Sequence, residues 1–308
     1  MPKTRGSARR ALWAMGAAVA WSLVGSGSPA PAETRNENGF DLSPSSIPVD
    51  QILRGGPPRD GIPALVDPEV SADPTTWPPE TSIVGVVIDG KARAYPIALL
   101  NWHELVNDRL GEQPILVSYC PLCGTAMVFS RRFSNGTHEF GVSGLLYRSD
   151  LLMYDRTTDS LWSQISAEAV TGPSLGKRLT LLPSRMMRWG DWQGRHEAST
   201  ILTRATGYPR DYDRSPYGGY NRSEELAFPA RFDPRYHPKM PTLGFRHTDG
   251  RARAYPAAEV LEVGSVKEEF AGSQLSVRFD ASAGVFENSY DGALEVVDGF
   301  WFAWSAFH

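Results

Sequence analysis

Cysteine is nearly absent: the 308-residue chain holds two, Cys120 and Cys123. A scaffold stapled by disulfides is thereby excluded, and folding has to rest on apolar burial, helped by nine tryptophans. Long apolar runs are lacking as well. Residues 11–25 form an apolar stretch diluted by glycine, short of the roughly 20 residues that cross a bilayer. Positive charge is not in excess, with 31 Lys and Arg against 35 Asp and Glu. A field of that sign repels phosphate backbones and anionic lipid, so nucleic acid is not an expected partner. Several catalytic signatures are missing too. Phe140-Gly-Val-Ser-Gly-Leu145 has the wrong spacing for a nucleophile elbow, and no phosphate loop or dinucleotide fingerprint occurs. Asn101-Trp-His-Glu-Leu-Val-Asn107 has half of a zinc-protease helix, but position 107, where the second histidine would stand, is Asn.

What is present begins with the three parts of an export signal. Lys3, Arg5, Arg9 and Arg10 precede the apolar stretch, and Ala30-Pro31-Ala32 offers small residues for cleavage. Residues 1–32 therefore read as a signal peptide cleaved after Ala32, which places the mature chain in the periplasm or outside the cell, with a net charge of about −8 and no transmembrane span.

Residues 33–80 are a proline-rich extended arm, since nine prolines between 43 and 79 deny regular hydrogen bonding. Residues 81–206 read as a first β-rich module. It opens with an apolar, β-branched strand at 81–88, an Asp89-Gly90 turn and a returning strand. Ile97, Leu99, Leu100, His103, Leu105 and Val106 have helical spacing up to Gly111, and a second helix is expected from Asp191 to about Leu202. Residues 207–241 are a connector rich in tyrosine and arginine. Residues 242–308 form a second, shorter module, because Asp89-Gly-Lys-Ala-Arg-Ala-Tyr-Pro96 returns as Asp249-Gly-Arg-Ala-Arg-Ala-Tyr-Pro256. Its last strands are expected at 274–279 and 299–307. The fold class is thus α+β, dominated by antiparallel sheet, with two related modules from an internal duplication and few short helices.

Chemistry concentrates in Tyr119-Cys-Pro-Leu-Cys-Gly124, where two sulfurs three apart face one way at a tight corner. Three readings stand open. The first is a soft metal ion, copper ahead of zinc, held by Cys120 and Cys123 with His103 or Met127 completing the set and Met153 and His138 as further candidates. The second is thiol–disulfide exchange by the same pair. A thioredoxin-type pair opens a helix that activates the first thiol, whereas residues 125–133 read as a strand, so His103 or Arg131 would have to supply that activation. The third is a purely structural disulfide in a partner-binding module. A loop containing Tyr208, Arg210, Tyr212, Tyr217 and Tyr220 offers a clamp for a ligand or a protein partner, or a connector packed by its own aromatics. Arg148, Asp150, Asp155 and Arg156 flank apolar strand positions, with Arg148 and Asp155 as candidates for a pocket mouth.

Taken together, Asn101-Trp-His-Glu-Leu-Val-Asn-Asp108, Cys120-Pro-Leu-Cys-Gly-Thr-Ala126, the segments 140–150 and 153–162, Arg210-Asp-Tyr-Asp-Arg-Ser-Pro-Tyr217 and Trp301-Phe-Ala-Trp-Ser-Ala-Phe-His308 resemble the family of domains of unknown function numbered 3179. The likeness covers nearly everything after residue 50. It implies no particular reaction, but it does imply that the His103 and double-cysteine regions belong to a shared pattern.

Overall fold

Strands with alternating or wholly apolar faces join through short turns into mixed sheets that are almost entirely antiparallel, as the hairpin signals imply. The structure is a computed structural model and describes residues 35–308; the signal assigned to 1–32 lies outside the described residues. The largest sheet runs in the order Ala252–Pro256, Pro241–His247, Leu294–Phe300, Thr125–Ser130, Gln113–Cys120, Leu105–Leu110 and Leu65–Val66. Strands from both stretches that carry the Asp-Gly echo share it, joined where Ala126 pairs with Asp298. A second sheet contains Asp150–Asp155 between Leu161–Ser163 and Phe140–Tyr147, with Ile52–Arg54 on its edge. A third centres on the hairpin Ser82–Ile88 and Lys91–Pro96.

The proline-rich segment lends edge strands to the sheets. Ile52–Arg54 pairs with Phe140–Tyr147, Leu65–Val66 runs parallel to Leu105–Leu110, and Val70–Ser71 pairs with Thr200–Leu202. Edge positions suit such a segment because its prolines have no N–H to give a central ladder.

Three local expectations need correction. The first helix ends at His103, and Leu105–Leu110 is a strand paired with Gln113–Cys120. Glu104 breaks the helix at φ 56°, after which Leu105 and Val106 satisfy the sheet period as well as the helical one. The helix near Asp191 is Trp189–Arg195, and Thr200–Leu202 lies as a strand parallel to Lys91–Pro96. The chain's aromatic end is a strand, Leu294–Phe300, followed by a helix, Trp301–Phe307. There Trp301 and Trp304, three apart, share one helix face and are buried, so period 3.6 prevails over period 2.

The apolar core that matters for function contains Leu105, Leu116, Cys120, Cys123, Met127, Phe129, Met153 and Trp162. It lies between the largest sheet and the sheet of Asp150–Asp155. A buried tryptophan such as Trp162 removes some 150–250 Å² from water, about 4–6 kcal/mol at the usual area coefficient and an upper bound on what it gives to stability. Both sulfurs therefore sit in a stiff, dry wall.

Candidate metal centre

Two turns meet at the sulfurs. The first follows the strand Gln113–Cys120, where the Cys123 amide donates to the Cys120 carbonyl at 3.1 Å and closes Cys-Pro-Leu-Cys into a tight corner. Gly124 then takes φ 60°, and a Cβ there would lie 2.8 Å from the Phe300 ring. Only glycine fits that conformation and that contact without strain. Thr125 starts the return strand opposite Cys120, and the Phe300 amide pins the Cys123 carbonyl at 2.8 Å.

The second turn joins Phe140–Tyr147 to Asp150–Asp155 through Arg148 and Ser149, whose φ values are 53° and 68°. Two-residue hairpin loops of this hand favour Asn and Gly, so Arg and Ser here are held against their preference. The turn carries the Ser149 carbonyl to the sulfurs: the Cys123 thiol donates to it at 3.3 Å, and that of Cys120 approaches at 3.9 Å. Asp150 comes next in the chain. One of its oxygens accepts the Ile165 amide at 3.0 Å, and the other, Oδ1, is buried with no hydrogen-bond partner. Ligand atoms of Cys120, Cys123 and Asp150 all lie within 4.8 Å of one another, and all three residues are buried.

Burial governs the electrostatics. It pushes the Asp150 carboxyl up to about 7, and it pushes the Cys123 thiol up, helped by the hydrogen bond and charge of Cys120. Glu104, buried one strand away, is also raised to about 7, first by burial. Its carboxylate accepts the Tyr217 hydroxyl at 3.3 Å and feels the charge of Asp150. Unpartnered buried carboxylates cost a fold several kcal/mol unless they are neutral or paired, so acids collected around two thiols call for a counter-charge. The donor set, two sulfurs and one oxygen, is one that a transition-metal ion accepts.

The expected residues distribute as follows. Cys120 and Cys123 form the centre. Met127 and Met153 share their apolar cluster. His103 turns both ring nitrogens elsewhere: Nδ1 donates to the Pro63 carbonyl at 2.8 Å, which leaves Nε2 to accept the Tyr212 hydroxyl at 2.7 Å. Burial lowers its pKa, in keeping with a neutral ring. His138 stacks on Phe133 and bonds Asn135, and Arg131 spends its guanidinium on the carbonyls of Ile115, His138 and Asp108. Arg148 binds the Ala306 carbonyl, and Asp155 accepts from Trp162 and Thr158.

The tyrosine loop reaches the centre's flank. Tyr212 holds His103 and Tyr217 holds Glu104, while Trp102 donates to the Arg214 carbonyl at 3.1 Å. Tyr220 is close enough to both cysteines for their charge to raise its pKa, which burial drives to about 12. Arg210 lies 5.4 Å from the Trp102 ring, and Tyr208 is exposed.

Asp150 and Glu104 stand at the candidate site although the sequence reading named neither as a ligand. The signal for Asp150 was its company: an acid that opens the apolar run Leu-Leu-Met-Tyr has to be buried with it.

No curated protein and no solved structure matches the chain. The family model described as a protein of unknown function, DUF3179, matches residues 59–292, a span that includes the strands, both turns and the tyrosine loop just described. The chain belongs to the DUF3179 family.

Proposed function

We propose that this protein binds one transition-metal ion through Cys120, Cys123 and Asp150. The observation that carries the reading is the buried Asp150 Oδ1, unpartnered and within reach of two buried sulfurs. A carboxylate beside two thiolates moves the preference from copper, favoured by a sulfur and imidazole set, to zinc, which takes sulfur and oxygen together. Thiol–disulfide exchange has less support, because both sulfurs are buried and burial raises the Cys123 thiol, where a reactive pair needs exposure and a lowered pKa. The export signal supports a periplasmic or secreted location for this site, and the chain's acidic balance speaks against nucleic acid as a partner.

Protein recovered from the periplasmic fraction without chelators is expected to start at residue 33 and to contain about one zinc ion per chain. Cys120→Ser and Asp150→Asn are expected to lose most of that metal while keeping the native circular dichroism. Full metal content in Cys120→Ser would end the coordination reading, and recovery of an uncleaved cytoplasmic chain would end the export reading.

A further inference from the structure

A cavity of about 620 Å³ opens where the strands Ser82–Ile88 and Ser184–Arg188 and the helix Trp189–Arg195 face the strand Val285–Tyr290. Cys120, Cys123 and Asp150 are not among its lining residues. A volume of this size lies in the range of sites that hold small organic molecules. Its walls are braced across the seam. Arg185, which stands opposite Gly85 in the sheet, donates to the Asn288 carbonyl at 2.9 Å, Arg195 reaches the Glu287 carboxylate at 3.3 Å, and Arg188 binds the Ser282 carbonyl. Buried Met187 and Trp192 form the floor, and a 2.7 Å bond to Ser199 fixes the Trp192 indole. Val87, 41% exposed, and partly buried Tyr290 leave apolar surface open to the cavity. Walls already held in place lower the ordering cost of binding.

Charge narrows the class of ligand. Arg185 and Arg195 line the cavity, and no carboxylate does. Glu287, the partner of Arg195, is shared with Arg278 at 2.7 Å, so one negative charge answers two positive ones. Arg185 spends its hydrogen bond on a neutral carbonyl. His196 stacks on Trp192 with ring centroids 4.2 Å apart, and burial, then the charges of Arg195 and Arg185, lower its pKa, in keeping with a neutral ring. In a chain with more acidic than basic groups, a concave surface of net positive charge is a local reversal that draws in anions. The cavity of about 460 Å³ beside Arg178 and Arg246 lacks that excess, because Glu168 and Glu295 line it and pair with those arginines. We propose that the larger cavity binds a small organic acid, its carboxylate held by Arg185 and Arg195 and its flat apolar body laid against Val87 and Tyr290. The guanidinium fork matches the plane of a carboxylate, and the tyrosine ring favours a flat partner. This site stands independently of the metal reading.

The test is isothermal titration of the full mature chain with naphthoate, which is expected to bind saturably. Neutral naphthyl methanol and acetate, each lacking one half of the ligand, should bind about tenfold more weakly or worse. Arg185→Gln and Arg195→Gln should each weaken naphthoate about tenfold and leave naphthyl methanol unchanged, a split that a merely structural role would not produce. Val87→Asp, which adds a carboxylate to the open apolar wall, should abolish naphthoate binding while the melting temperature stays near the parent's. Arg188→Gln, in the same strand as Arg185 but outside the cavity lining, should bind like the parent, and so should Cys120→Ser. Absence of saturable naphthoate binding, equal binding of the acid and the alcohol, acetate binding as tightly as naphthoate, or full naphthoate affinity in both arginine variants would each overturn the proposal and leave the metal reading standing.

Discussion

Glu104 pays twice for its position, in backbone strain and in buried charge. It ends the first helix at φ 56° and ψ −39°, a region that suits glycine. After the helix Ala257–Val263 the same place is filled by Gly264, at φ 77° and ψ −45°. A carboxyl raised to about 7 from 4.5 favours the folded state while protonated, so its stability contribution is complete below pH 4.5 and lost as pH climbs through 7. At 1.36 kcal/mol per unit the loss comes to about 3 kcal/mol. The groups facing it are the Tyr217 hydroxyl, the Asp150 carboxyl and, beyond them, the two thiols. Urea unfolding of the metal-free protein at pH 5 and pH 8 is therefore expected to show a drop that Glu104→Gln reduces by about 2–3 kcal/mol, leaving the shares of Asp150 and Asp298, whose carboxyls burial also raises to about 7. An equal drop in both proteins would mean that Glu104 ionises freely in the fold. The sequence made Cys120 and Cys123 legible at once, because rare residues at close spacing stand out. Asp150 and Glu104 looked like ordinary turn and helix acids, since burial and positive φ come from tertiary contacts made far along the chain.

Secondary elements show where pattern reading succeeds. The Asp-Gly hairpins stand where the alternation and the turn residues put them, at Ser82–Ile88 with Lys91–Pro96 and at Pro241–His247 with Ala252–Pro256. Each is finished by like contacts. Arg93 and Tyr95 converge on Asp108, while Arg253 and Tyr255 converge on Glu268. Trp192 from one short helix lies on Gly85, and Trp304 from another lies on Gly244. These parallels are what a duplicated module would leave behind. They were hidden in the sequence because the helices carrying the tryptophans follow their hairpins at different distances, and short helices of seven residues leave little periodic signal. A Cβ at Gly85 would lie 2.3 Å from the Trp192 ring, whose indole is fixed by a 2.7 Å bond to Ser199. Gly85→Ala is accordingly expected to cost about 2–3 kcal/mol in urea unfolding. Gly194→Ala, in the same helix as Trp192 with open space around it, should instead gain about 0.5–1 kcal/mol. A neutral Gly85→Ala would show that the indole moves freely.

For the whole molecule, the candidate centre brings together segments far apart in sequence, as a clasp would. Cys120 and Cys123 belong to the sheet that also carries Leu294–Phe300, Asp150 opens a strand of the second sheet, and the loop with Tyr217 and Tyr220 follows after a further 60 or so residues of chain. Anything that binds all three donors ties these layers together in the folded state alone, so its binding free energy adds to stability. Zinc at about a hundred times its dissociation constant adds about 2.7 kcal/mol. For a chain of this size that corresponds to a rise of about 5–8 °C in the melting temperature. Calorimetry of the parent with zinc and after chelation should show this difference, and both Cys120→Ser and Asp150→Asn should melt at the same temperature with and without the ion. A shift that survives in Cys120→Ser would place the stabilising ion away from the sulfurs. A shift that survives only in Asp150→Asn would mean that the two sulfurs bind by themselves, and the second sheet would then take no part in the clasp.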